Sequence, residues 1–173
     1  NPNNPTGTMV SPAGLIAFLK DCPSNIIVVL DAAYGEYLDA GSYPDPVDYL
    51  ERFPNVIVLR TFSKAYSLAG LRLGYGIAGK ELISKLNQRK LPFNISLLAQ
   101  AAGIAALQDD KHILSSREKN KAERAYLQDE LARLGVSFVP SITNFVLILT
   151  EKAARWQESL LKKEIAVAHT SLL

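Results

Sequence analysis

Cysteine is almost missing from this chain. The single one, Cys22, excludes an intramolecular disulfide and fits a reducing, cytoplasmic setting. It precedes Pro23 at an expected helix end with no catalytic company, so it reads as structural. Histidine is nearly as scarce. His112 and His169 stand isolated, without a partner at ligand spacing, so no metal centre is expected and both read as ordinary surface or interface residues. No apolar run approaches the roughly 20 residues that cross a bilayer, and no signal-peptide pattern opens the chain. Excess charge is lacking too: 19 basic against 17 acidic residues give a net charge of +2, which argues neither for nucleic acid nor for an acidic membrane surface, and no partner of either kind is expected. What remains is a globular composition, 48% hydrophobic and 21% charged, enough for a core in 173 residues.

Residues 1–7, NPNNPTG, form a turn-rich loop in which two prolines fix φ. Ser11 is an N-cap and Pro12 an N1 residue for a helix whose Leu15, Ile16 and Leu19 share a face. Ile26–Leu30 is a β-branched run suited to a parallel strand covered on both faces, with Asp31 at its carboxyl end. Residues 38–55 read as loop with a helical turn, Val56–Leu59 as the next strand, and Leu71–Ala78 as another. Helices are expected over Lys80–Arg89, over Ile95–Leu107 with Asn94 as cap and a buried setting, and from Asp109 or Asp110 to about Arg133. The last has Leu127, Leu131 and Leu134 on its inner face and Gly135 as its stop. Beyond it lie strands at Val136–Val139 and Phe145–Leu149, a helix with Trp156, and a final strand at Ile165–Ala168. The pattern gives an α/β chain: a mostly parallel sheet flanked by helices over residues 1–108, a connecting helix over 109–135, and the start of a smaller α+β domain over 136–173.

Residues 60–76, RTFSKAYSLAGLRLGYG, carry the strongest chemical signal. Thr61 and Ser63 flank Lys64 at the mouth of a buried strand, and Arg72 follows eight residues after the lysine. A lysine there is most often a solvated surface residue, and Arg72 alone could be an ordinary ion-pair arginine. The competing reading joins an amine able to condense with carbonyls to a guanidinium that grips phosphate. Asp31 and Tyr34 stand beyond a strand's carboxyl end, where α/β sheets bind ligands, although an aspartate there can equally cap the next segment.

Taken together, NPNNPTG at 1–7, DAAYGEY at 31–37 and SKAYSLAGLRLGYG at 63–76 resemble, in the same order, the motifs of fold type I aminotransferases, the pyridoxal 5'-phosphate enzymes of class I/II. KLPFNISLLAQAA at 90–102 and PSITNFVLI at 140–148 narrow the likeness to the histidinol-phosphate aminotransferase branch. The resemblance implies that Lys64 attaches the cofactor and moves the α-proton, and that Asp31 pairs with the pyridinium nitrogen. It further implies that Asn4 and Tyr34 donate to the 3′ oxygen, and that Thr61, Ser63 and Arg72 form part of the phosphate cup.

The implied partners are a small-molecule amino donor, histidinol phosphate, with 2-oxoglutarate as the acceptor 2-oxo acid, in a cytoplasmic homodimer. Threonine-phosphate decarboxylases and aromatic or aspartate aminotransferases share the lysine segment and stay open as alternatives. So does a catalytically silent cofactor-binding scaffold. Ala32 replaces a glutamate common in relatives, and Ala168 stands where relatives often carry arginine. Glu36 and Tyr37 are expected to support the loop, and Asn144 either faces substrate or bonds backbone. A chain that opens inside a ligand loop reads as a fragment of a longer polypeptide. On that reading the substrate-carboxylate arginine, the ring-stacking aromatic and a residue from the second subunit lie outside it.

Overall fold

The computed structural model describes residues 1–39, 41 and 44–169. The expected final strand, Ile165–Ala168, has no regular secondary structure: among the described residues no strand pairs with it, and Gln157 Nε2 instead holds the Val167 carbonyl at 3.0 Å. Ser11 caps helix α1 (Pro12–Asp21) by accepting from the Gly14 amide at 3.2 Å, with proline in the first turn. Its Leu15 and Leu19 are buried against strand β1 (Val28–Asp31) and strand β2 (Val56–Thr61).

β1 and β2 run parallel, with Asp31 opposite Leu59, so their carboxyl ends fall side by side. β2 then pairs antiparallel with strand β3 (Gly74–Ala78), and Thr61 faces Gly74. Residues 62–73, which join the two strands, carry one short helical turn, Ala69–Leu71, in place of the α-helix that a parallel crossover usually contains. Val56 and Val58 are fully buried, and each such side chain contributes roughly 1.5–3 kcal/mol.

The expectation that β1 is covered on both faces does not hold in this chain. Val28 and Leu30 turn inward onto α1, whereas Ile27 and Val29 on the opposite face are about half exposed.

Three helices follow in series: α2 (Lys80–Asn87), α3 (Leu97–Leu107) and α4 (Asp110–Arg133). α3 is capped by Ser96, whose Oγ accepts from the Ala99 amide, and not by Asn94. Phe93 at φ +54° lies in the left-handed region, so the helix cannot begin before it. Nor is α3 buried as expected. Only Ala99 and Gly103 turn inward, because a residue without a side chain lets the helix approach Leu73 closely, while Leu97, Leu98, Ile104 and Leu107 are exposed.

α4 differs from its leucine pattern in the same way. Leu131 is buried, but Leu127 and Leu134 are exposed. The inward side of α4 is instead polar. His112, Arg117, Asn120, Arg124 and Gln128 reach carbonyls and an amide of the surrounding loops.

Gly135 at φ +68° ends α4 as expected. A two-stranded antiparallel ladder, β4 (Phe138–Val139) with β5 (Leu147–Ile148), and helix α5 (Ala153–Leu161) complete the described chain. Among the described residues no helix is long and apolar enough to cross a membrane.

Candidate active site

Residues 1–10 close on themselves. Asn1 exchanges side-chain hydrogen bonds with the backbone of Val10, and Gly7 donates to the Asn3 carbonyl at 2.8 Å. This loop presents Asn4, whose Nδ2 donates to the Tyr34 hydroxyl at 3.0 Å. Tyr34 lies three residues beyond the end of β1 and is buried. Phe145 stands edge-on to its ring, with centroids 5.2 Å apart. The Lys64 ammonium sits over the same ring, 5.3 Å from its centroid. Three of the residues singled out in the sequence therefore meet at one phenol.

Asp31 ends β1, and its Oδ1 accepts from the Ala33 amide at 3.0 Å, which fixes the turn that brings Tyr34 back. Thr61 ends β2, the parallel neighbour, and its Oγ1 accepts from the Ser63 amide at 3.1 Å. The lysine loop then closes through Ser67 N to Lys64 O and Leu68 N to Phe62 O, each 2.9 Å.

Arg72 is placed by the antiparallel return. Phe62 donates to the Leu73 carbonyl at 3.1 Å, so Arg72 emerges at the same end of the sheet as Thr61 and Ser63. Its NH1 donates to the Ala69 carbonyl at 2.8 Å, and its backbone takes φ +53°. Asp31 and the Thr61–Ser63–Arg72 group are thus joined to the Asn4–Tyr34–Lys64 trio by adjoining strand ends, not by direct side-chain bonds.

Two further residues hold these loops. Glu36 is buried, accepts from Arg60 NH1 at 2.9 Å, and leaves its second oxygen without a partner; Arg60 also bonds Asp45 at 2.7 Å. Burial pushes the Glu36 carboxyl above its ordinary range, against the pull of its own backbone and of Arg60. Burial lowers the Arg60 guanidinium, but the two carboxylates outweigh it and the net shift is upward. Glu36 therefore supports the loop, as its sequence position suggests.

His112 is exposed, as expected from the sequence, but its ring is tied to the lysine loop. Its Nε2 lies 3.0 Å from the carbonyl of Ala65, next to Lys64. No sequence signal marked that bond, because a histidine bonded to backbone needs no spaced partner. Among the described residues no three His, Cys, Asp or Glu gather as a metal site.

The model of the family described as aminotransferase class I and II matches residues 1–172. The chain belongs to that family. Among curated relatives, histidinol-phosphate aminotransferase of Bacillus pumilus is 48% identical over 174 residues, covering 100% of this chain and 48% of the relative. The enzyme of the same name from Moorella thermoacetica is 48% identical over 156 residues, covering 90% of this chain and 40% of the relative. The aminotransferase chain described here thus spans less than half the length of these relatives.

A crystal structure of histidinol-phosphate aminotransferase from Sinorhizobium meliloti in complex with pyridoxal-5'-phosphate superposes with a TM-score of 0.86 at 33% identity, over 96% of this chain and 47% of that one. The α/β fold read from the sequence is therefore an aminotransferase fold.

Proposed function

We propose that this chain carries the lysine and much of the cofactor cradle of a pyridoxal 5'-phosphate-dependent aminotransferase that converts histidinol phosphate and 2-oxoglutarate into imidazole-acetol phosphate and glutamate. The observation that carries the reading is the convergence of Asn4 and Lys64 on Tyr34 beyond the carboxyl end of β1. The substrate pair rests on the relatives: histidinol-phosphate aminotransferases that are 48% identical over most of this chain.

The donor set fits the cofactor's chemistry. An amide and a phenol in contact can both donate to a phenolate oxygen. The carboxylate of Asp31, at the end of β1, suits a protonated pyridine nitrogen, and Thr61, Ser63 and Arg72 offer hydroxyls and a guanidinium to phosphate. When bound, the cofactor supplies an aldehyde that condenses with amines and a ring that accepts electrons.

Each residue then has one task. Lys64 would hold the cofactor through its ε-amine, and the same amine, when free, would take the proton from the donor's α-carbon. Asp31 keeps the ring nitrogen protonated. Asn4 and Tyr34 orient the ring through its 3′ oxygen, and the phosphate group is fixed by Thr61, Ser63 and Arg72. The assembly proposed is a cytoplasmic homodimer, in line with the scarcity of cysteine.

The test uses protein expressed from the complete reading frame that contains this chain. Glutamate formation from 2-oxoglutarate is compared for histidinol phosphate, aspartate and aromatic amino acids, with release of carbon dioxide from threonine phosphate measured alongside. A kcat/KM for histidinol phosphate at least about tenfold above the others supports the reading, a margin of about 1.4 kcal/mol in transition-state binding. Preference for another donor, or decarboxylation, replaces the substrate. No turnover at all favours a silent scaffold.

A further inference from the structure

We propose that His112 is a positioning residue for Lys64, acting through a hydrogen bond from its Nε2–H to the carbonyl of Ala65; this rests on the reading of Lys64 given above. The two atoms are 3.0 Å apart and the bond spans 47 positions of sequence. A carbonyl only accepts, so the Nε2 nitrogen carries the proton. Ala65 is 1% exposed and packs with Tyr34 and Tyr37, with Ile113 of α4 against them. The peptide after the lysine is therefore caught between the phenol it serves and the first turn of α4.

That turn is itself fixed. Asp109 Oδ1 accepts from the His112 amide at 3.0 Å and caps the helix. Farther along the same helix, Arg117 Nε donates to the Glu36 carbonyl at 2.8 Å, on the loop that carries Tyr34. One rigid rod thus grips both loops, and the distance between the Lys64 amine and the Tyr34 ring is set by α4 as well as by the sheet. Within its own loop the lysine is held by the Ser67 amide, which donates to the Lys64 carbonyl at 2.9 Å. The exchange rate of that amide reports how well the loop is held.

His112→Phe removes the donor and keeps a ring; His112→Gln returns an N–H near the Nε2 position. Both are compared with the unaltered protein from the complete frame, without cofactor, by amide hydrogen exchange at Ser67, and then by the rate of borohydride trapping of added pyridoxal phosphate on Lys64. The expected result is Ser67 exchange about tenfold faster and slower trapping in His112→Phe, with both restored in His112→Gln, the size a net hydrogen bond confers. Exchange and trapping unchanged in His112→Phe would overturn the proposal, and so would a His112→Gln variant as impaired as His112→Phe, since only packing would then matter. Should His112→Phe not fold, His112→Ala against His112→Gln gives the same comparison. If the unaltered protein traps no cofactor on Lys64, the functional reading fails on its own, while the Ser67 exchange still decides whether His112 holds the loop.

Discussion

The Asn4 side-chain amide donates to the Tyr34 hydroxyl across 3.0 Å, joining a loop at the start of the chain to the turn that follows the first strand. Thirty positions separate the two residues, and nothing local to either dictates the meeting. It arises because the 1–10 loop closes on itself and Asp31 bends the chain back after β1.

Tyr34→Phe keeps the ring under Lys64 and the edge contact with Phe145 but removes the hydroxyl. Pyridoxal phosphate affinity is expected to fall about tenfold, the loss of one hydrogen bond to a charged oxygen, with a shifted absorption maximum of the bound cofactor. Equilibrium dialysis and absorbance titration measure both.

Gly7 has two reasons to be glycine. Its φ is +71°, and an added Cβ would collide with Ser141 Oγ and lie 2.7 Å from Ser141 Cβ. Ser141 cannot give way freely, because its Oγ also bonds the buried Thr143 at 2.9 Å. Gly7→Ala is expected to lower stability by roughly 2–4 kcal/mol, read by urea unfolding. A change below about 0.5 kcal/mol would mean the loop does not rest on Ser141.

Tyr49 is 3% exposed and its hydroxyl has no hydrogen-bond partner. Replacing it with phenylalanine keeps the packing against the α1 and β2 core and removes the unpaired group. Tyr49→Phe is therefore expected to gain about 1 kcal/mol, seen as a raised urea midpoint.

Glu36 makes stability depend on pH. Burial raises its carboxyl above the ordinary value, so the fold favours the protonated form. Its contribution is fully present below the unfolded value of about 4.3 and is lost as pH rises through the higher folded value. The unfolding free energy of the unaltered protein minus that of Glu36→Gln should fall as pH is raised from about 4 to about 7. A difference that rises over that window would show the Arg60 pair outweighing burial.

Elements set by local rules were legible in the sequence. The Ser11 cap, the Pro12 start, the Asp109 cap of α4 and the Gly135 stop all lie where side-chain chemistry demands them. Lys64, Tyr34 and Asn4 were legible through family motifs, and the structure brings those three together. What stayed hidden was packing.

Hydrophobic periodicity assigned Leu127 and Leu134 to the inner face of α4, but that face works by hydrogen bonds from His112, Arg117, Asn120, Arg124 and Gln128 to loop backbone. A periodicity of polar residues looks the same whether it faces water or carbonyls. The strand expected at Ile165–Ala168 failed for a related reason: β propensity describes a fit to a neighbour, and among the described residues no strand pairs with it.

Covalent trapping tests the central claim most directly. Protein from the complete reading frame is incubated with pyridoxal phosphate, reduced with borohydride, digested and mapped by mass. The cofactor's mass is expected on the peptide containing Lys64, and the Lys64→Ala variant is expected to carry none. A reduced adduct of equal yield on another lysine, or one that persists in Lys64→Ala, contradicts the account.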